Sequence, residues 1–128
     1  MRPLTPELLE GKEHFVKMEG REIFKHAVRA MSKCSKEAMQ TNDMSPDDID
    51  YVIPHQANLR IIEATAKHLK IPMSKMIVEI ENMGNNSAAT IPVTLDKAVR
   101  DGRIKRGQNI ILTAFGAGLT NGSVLLKY

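Results

Sequence analysis

Cysteine is nearly missing: Cys34 is the only one among 128 residues, which excludes an internal disulfide and a multi-cysteine metal site. The four histidines, His14, His26, His55 and His68, show no H-x-x-x-H spacing, so no metal site is expected. No window approaches the uninterrupted apolar length of a membrane span, and the first residues lack the basic-then-apolar order of a secretory signal. A cytoplasmic protein without a membrane partner is therefore the expectation, and the two Asn-x-Ser sequons at Asn85 and Asn121 read as accidental. Charge of one sign is not in marked excess either. Lys and Arg number 18 against 15 Asp and Glu, a net charge of +3, too mild for a nucleic-acid binder unless it gathers on one face. What remains is an ordinary soluble composition, 42% hydrophobic and 26% charged, in a length that fits one domain with a real core.

Along the chain, residues 1–17 carry two prolines and charged residues without a sustained period, and read as a linker or leading strap. His14–Met18 reads as a short strand ending at Gly20. From Arg21 the period changes. Ile23, Phe24, Ala27, Val28, Met31, Cys34 and Ala38 share one helical stripe, which should stop near Thr41-Asn42, before the Ser45-Pro46-Asp47-Asp48 turn. An apolar strand through Ile49, Tyr51, Val52 and Ile53 is closed by Pro54. The next helix turns Leu59, Ile62, Ala66 and Leu69 inward, ends before Pro72, and carries Arg60, Glu63 and Lys67 on its outer face. Met76–Ile80 reads as another strand leading into an Asn-rich loop. A helix with Ile91, Leu95, Ala98 and Val99 on one side follows Ser87 and ends at Asp101-Gly102, provided Pro92 lies in or near its first turn. Strands Asn109–Phe115 and Ser123–Tyr128, joined by a short Gly-rich loop, form an antiparallel hairpin. The order β-α-β-α-β-α-β-β predicts an α/β fold whose mixed sheet of five strands is mostly parallel and covered by helices.

Two stretches carry the candidate chemistry. His55-Gln56-Ala57-Asn58 follows a strand and opens a helix, and Gly84-Asn85-Asn86-Ser87 follows the next strand and opens another. Ligands of open α/β sheets bind at the carboxyl ends of strands, so both stretches can face one pocket. On spacing alone His55 reads as a structural hydrogen-bonder; its place at a strand end adds the reading of an imidazole donor aimed into a pocket. Gly-Asn-Asn-Ser is good turn and capping chemistry, but two asparagines exceed what one cap needs. Gly116-Ala117-Gly118 fails the G-x-G-x-x-G spacing because Asn121 holds the third site and a strand follows, leaving a tight hairpin or a loop whose N–H groups approach an oxyanion. Cys34, on the apolar stripe, reads as a small core residue. Lys25, Arg60 and Lys67 read as solvated charges, with Glu63 placed to pair with Lys67.

Taken together, Val52-Ile53-Pro54-His55-Gln56-Ala57-Asn58-Leu59-Arg60, then Gly84-Asn85-Asn86-Ser87-Ala88-Ala89, then Ala114-Phe115-Gly116-Ala117-Gly118 resemble the C-terminal half of β-ketoacyl-acyl-carrier-protein synthase III. Asp96-Lys97-Ala98-Val99-Arg100-Asp101-Gly102-Arg103 resembles it too, and the likeness runs from about Met18 to the C-terminus. It implies a three-layer half of the thiolase superfamily over residues 18–128. It also implies an acyltransferase that begins fatty acid synthesis by condensing acyl-CoA with malonyl-carrier protein as carbon dioxide leaves. CoA and carrier-protein thioesters are then substrates, and no cofactor is needed.

By the same resemblance His55 and Asn85 are two members of a Cys-His-Asn set, donating to the enolate oxygen of the malonyl thioester. One such donor is typically worth about 3–4 kcal/mol of barrier, by the magnitude measured for protease oxyanion holes. Phe115 resembles the aromatic residue beside the malonyl site, and the Ala117 N–H matches a second oxyanion hole where relatives more often have glycine. Asn58 resembles a pantetheine contact, and Lys25, Arg60 and Lys67 resemble the basic set that docks acyl carrier protein. Asn121 stands where relatives can have tryptophan. No segment resembles the half that bears the nucleophilic cysteine, so this chain alone is expected to be inactive. It is expected to need an N-terminal half as partner, and to form a homodimer through the face that half would cover. Two other readings stay open: half of a hydroxymethylglutaryl-CoA or polyketide-type synthase, and a non-catalytic module that binds carrier protein or assembles with a subunit.

Overall fold

Alternate burial along two apolar strands decides the layering. The computed structural model, which describes residues 3–11, 14–15 and 17–128, directs Val52 and Ile111 to one face of a sheet and Ile53 and Ile110 to the other. Successive side chains of a strand point to opposite faces, and a strand buried on both must be apolar throughout. β1 (Tyr51–Pro54) pairs parallel with β2 (Asn109–Gly116), Val52 opposite Ile111. β2 pairs antiparallel with β3 (Thr120–Lys127), Ile111 opposite Leu125.

Helices cover both faces. Met39 of α2 (Gly20–Thr41) and Ile62, Ala66 and Leu69 of α3 (Leu59–Leu69) close over Val52 and Ile111. Across the sheet, Ala98 of α5 (Thr90–Arg100) packs with Ile53, Ile77 and Ile110. The boundaries have local causes. The Asn58 side chain accepts from the Arg60 N–H at 2.9 Å and starts α3, as an N-cap should. α3 stops where Lys70 turns left-handed at φ 58°, two residues before Pro72. Pro92 is the third residue of α5, inside the first turn, where the missing N–H costs nothing.

Several expectations are corrected. The sheet has three strands among the described residues, not five. Met76–Ile80 contributes one parallel bridge, Met76 to Val52, and the chain then turns into a short helix, α4 (Ile80–Met83). The strand expected over His14–Met18 falls partly on Val16, outside the described residues, and its described residues are not in a strand. Among the described residues of the leading strap, Pro6–Glu10 form a helical turn, α1. Leu59 is exposed rather than inward, and Ile61 and Thr65 are buried on α3 instead. Cys34 is half-buried and stands outside the core, its Sγ donating to Asn121 Oδ1 at 2.6 Å. The inward positions beside it belong to Ser32 and Ser35. Among the described residues no helix is long and apolar enough to cross a membrane.

Candidate active site

Because β1 and β2 are parallel, their carboxyl ends lie on one edge of the sheet, which brings His55 beside Phe115. The His55 N–H donates to the Thr113 carbonyl at 2.8 Å, extending the ladder by one rung. A turn follows, with the Ala57 N–H on the His55 carbonyl at 2.9 Å, before Asn58 caps α3. His55 lies between two cavities. One, of about 560 Å³, is lined by His55, Asn85, Ser87, Phe115 and Ala117 together with Lys17 and apolar residues that include Ile23 and Ala27 of α2 and Ile61 of α3. The other, of about 470 Å³, is lined by His55, Ser87, Phe115, Gly116 and Asn121 among others. No carboxylate lines either cavity.

The His55 imidazole is half-buried, and burial holds its pKa below the ordinary 6.5, because a low-dielectric setting disfavours the charged form. It is therefore neutral at neutral pH. One ring nitrogen is engaged: Nδ1 lies 2.6 Å from Thr90 Oγ1.

Asn85 follows α4 and not the end of a strand, which corrects the picture of two matching strand ends. Gly84 makes the turn possible at φ 63° and ψ −164°, a region open to glycine alone. Asn85 Oδ1 accepts from the Ser87 N–H at 3.0 Å. One atom of the amide thus closes a local turn, and the Asn85 Nδ2 makes no hydrogen bond among the described residues. Asn86, the other asparagine, does not cap the turn that follows. Ser87 is held left-handed at φ 58°, uncommon for a residue with a Cβ.

In the hairpin loop the left-handed residues are Gly118 and Leu119. Ala117 does not need positive φ, so its side chain brings no backbone strain. Ala117 opens a 3₁₀ turn, where the first N–H groups find no partner inside the turn.

Lys25, Asn58, Arg60 and Lys67 do not line the cavities. They are exposed on α2 and α3, two helices that pack together. Lys25 is paired with Glu22 at 2.8 Å. Glu63 forms no ion pair with Lys67, contrary to expectation, and Arg60 and Lys67 have no carboxylate partner among the described residues.

Sequence reasoning assigned nothing to three residues that hold the site. Gln56 is fully buried; its Nε2 donates to the carbonyls of Pro54 at 2.8 Å and Ile77 at 3.2 Å, and its Oε1 accepts from the Glu79 N–H at 2.9 Å. It ties the exit of β1 to the segment that leads to Asn85. Glu79 is buried and bound by Lys97, by Arg103 at 2.6 Å and by Asn82 at 2.8 Å. Thr90 lies against His55. Glu79, a charged residue between Val78 and Ile80, carried an available signal; Gln56 and Thr90 left none.

Residues 39–128 match the family model for 3-oxoacyl-[acyl-carrier-protein (ACP)] synthase III C terminal. The chain belongs to that family. It is 52% identical over 126 residues to the β-ketoacyl-[acyl-carrier-protein] synthase III of Roseiflexus sp. (strain RS-1), covering 98% of this chain and 38% of that protein. Among solved structures, the 3-oxoacyl-[acyl-carrier-protein] synthase III of Aquifex aeolicus VF5 superposes with a TM-score of 0.87 at 48% identity, over 89% of this chain and 37% of that one. The synthase III of Pseudomonas aeruginosa PAO1 superposes with a TM-score of 0.89 at 33% identity, over 99% and 40%. The three-layer fold is thus a thiolase-like synthase III C-terminal domain, and the chain spans about two fifths of the length of these relatives.

Proposed function

We propose that the chain is the C-terminal catalytic half of a β-ketoacyl-acyl-carrier-protein synthase III. In this reading it supplies the donors for decarboxylation of malonyl-carrier protein, while an N-terminal half supplies the cysteine acylated from acyl-CoA. The bond between C2 and the malonyl carboxylate breaks, carbon dioxide leaves, and the electron pair moves onto the thioester oxygen. His55 and Asn85 donate hydrogen bonds to that oxygen. The carbanion then attacks the acyl thioester on cysteine, the Ala117 N–H holds the new oxyanion, and the cysteine leaves as thiolate.

One observation carries the reading: His55 and Asn85 line a single cavity with Phe115 and Ala117, in which no carboxylate competes for the charge that develops. Neutral donors suit this chemistry, because the step needs charge stabilisation and no proton removal. Phe115 forms the apolar wall beside the malonyl group. Asn58 contacts pantetheine and Lys25, Arg60 and Lys67 dock the acidic carrier protein.

Co-expression with an N-terminal half bearing the cysteine is expected to yield β-ketoacyl product from acyl-CoA and malonyl-carrier protein, with none from this chain alone. A stable complex without product, whose carrier-protein binding survives loss of both His55 and Asn85, would instead make the chain a binding module.

We also propose that the chain dimerises. Val93, Leu119 and Val124 are large apolar side chains left exposed, and such surfaces associate. Light scattering is expected to give the mass of two chains; the mass of one at high concentration contradicts the proposal.

A further inference from the structure

Gln56 stands where the parallel ladder between β1 and the segment after α3 comes to an end. Val52 and Met76 form one bridge, and the Ile77 N–H donates to the Val52 carbonyl at 2.9 Å. Rungs of a parallel pair recur at alternate residues, so the next one in this register would join the Glu79 N–H to the Pro54 carbonyl. The Gln56 carboxamide takes both groups instead: Nε2 donates to the Pro54 carbonyl at 2.8 Å and Oε1 accepts from the Glu79 N–H at 2.9 Å. Its second amide proton goes to the Ile77 carbonyl at 3.2 Å. The amide cannot be turned over, because carbonyls only accept and an N–H only donates.

What this wedge holds apart is the site. Pro54 immediately precedes His55. On the other side the Glu79 carbonyl accepts from the Asn82 and Met83 N–H groups at 3.0 and 3.2 Å, and the Gly84 N–H closes on Ile80 at 2.8 Å. The backbone from Glu79 to Gly84 is thus a short hydrogen-bonded unit that hands its position on to Asn85. We propose that Gln56 is a positioning residue for the His55–Asn85 pair: its fully buried carboxamide, inserted as a spacer at the next rung, sets how far Asn85 stands from His55.

The length of the side chain matters. A direct rung would bring the Glu79 nitrogen to about 2.9 Å from the Pro54 oxygen, closing the gap by the width of an amide and carrying α4 and Asn85 towards His55. Two donors that serve one oxygen must both lie within reach of it, and a misplacement of about 1 Å can cost about 10²-fold in rate. Asparagine is one methylene short and cannot span both strands. Glutamic acid has the length; buried against two carbonyls it is held protonated, and then offers one O–H donor and an acceptor.

The role of Gln56 has catalytic meaning only if His55 and Asn85 act as proposed, but the place of Asn85 can be read without activity. In the full 128-residue chain labelled with ¹⁵N, the Asn85 side-chain amide and the Ser87 N–H that it binds report that place. Gln56→Asn is expected to move both signals, although Gln56 bonds to neither residue. Gln56→Glu, at about pH 5 where its buried carboxyl is protonated, should leave them at their wild-type positions. Signals unmoved in Gln56→Asn, or moved as far in Gln56→Glu, overturn the proposal. Should Gln56→Asn fail to fold, as its amide spectrum would reveal, Gln56→Met takes its place, keeping the length and losing the hydrogen bonds. In the assembly with the N-terminal half, Gln56→Asn should lower kcat for decarboxylation by about 10²-fold with KM unchanged, and should add little to Asn85→Ala. An equal fall in both backgrounds overturns the positioning role. A wild-type assembly without activity would refute the proposed function while the spectra still decide on Gln56, so the two failures are told apart.

Discussion

Glu79→Gln is expected to destabilise the chain by about 2–3 kcal/mol at neutral pH and to reduce its stability change between pH 4.5 and 2. The carboxylate is 5% exposed and is bound by Lys97 and Arg103. Burial pushes its pKa up, but hydrogen bonds from Lys97, Asn82 and Arg103 and the Arg103 charge outweigh it and hold the group at about 2, below the ordinary 4.5. At about 1.4 kcal/mol per pH unit, that displacement is worth about 3 kcal/mol. The two cations are 47% and 35% exposed, so water screens part of the interaction and the lower end of the range is the better guide.

The sign follows from where the proton goes first. Below pH 4.5 the unfolded chain takes it up while the native carboxylate resists until about pH 2. The stabilisation is therefore complete above 4.5 and drains away as the pH falls towards 2. Asp101 also bonds Arg103 and its pKa is lowered too, so the relevant quantity is the difference between wild type and Glu79→Gln in urea titrations across that window. Equal pH dependence in the two proteins would contradict the account.

Much of this architecture is legible in the residues, and the exceptions share a cause. The stripe from Ile23 to Ala38 marks α2 because helix periodicity is a local property that burial enforces. The Asn109–Phe115 and Ser123–Tyr128 runs likewise mark the hairpin. Met76–Ile80 has the composition of a strand, yet only Met76 bridges to Val52. Gln56, reaching over from the exit of β1, takes the Ile77 carbonyl and the Glu79 N–H that a ladder would otherwise use. Cys34 looks like core from its spacing. The layer below it is polar: Ser35 bonds Ser123 at 3.1 Å and Ser123 bonds Thr113 at 2.7 Å. In each case a side chain distant in sequence answers a backbone or hydroxyl group, and no local period records it. The site divides the same way. His55 and Asn85 stand out in their motifs, whereas Thr90, 35 positions from the ring it touches, stands out only in three dimensions.

The largest effect is expected at His55 and Asn85 themselves. With the N-terminal half supplied, His55→Ala and Asn85→Ala should each slow malonyl-thioester decarboxylation by about 10²–10³-fold, the cost of losing one preorganised oxyanion donor. The loss should fall on kcat more than on KM, because the enolate oxygen carries its charge only in the transition state. Removing both should cost less than the product of the single losses, since groups serving one atom act as a unit. Asn85→Asp is a sharper variant: it keeps the bond to the Ser87 N–H and replaces the amide donor by a charge that repels the enolate. The decisive measurement is release of labelled carbon dioxide from carboxyl-labelled malonyl-carrier protein by wild type, His55→Ala, Asn85→Ala and the double variant, in the same reconstituted assembly. Two large single losses with a less than multiplicative double loss are predicted; decarboxylation at the wild-type rate with both side chains removed would contradict the account.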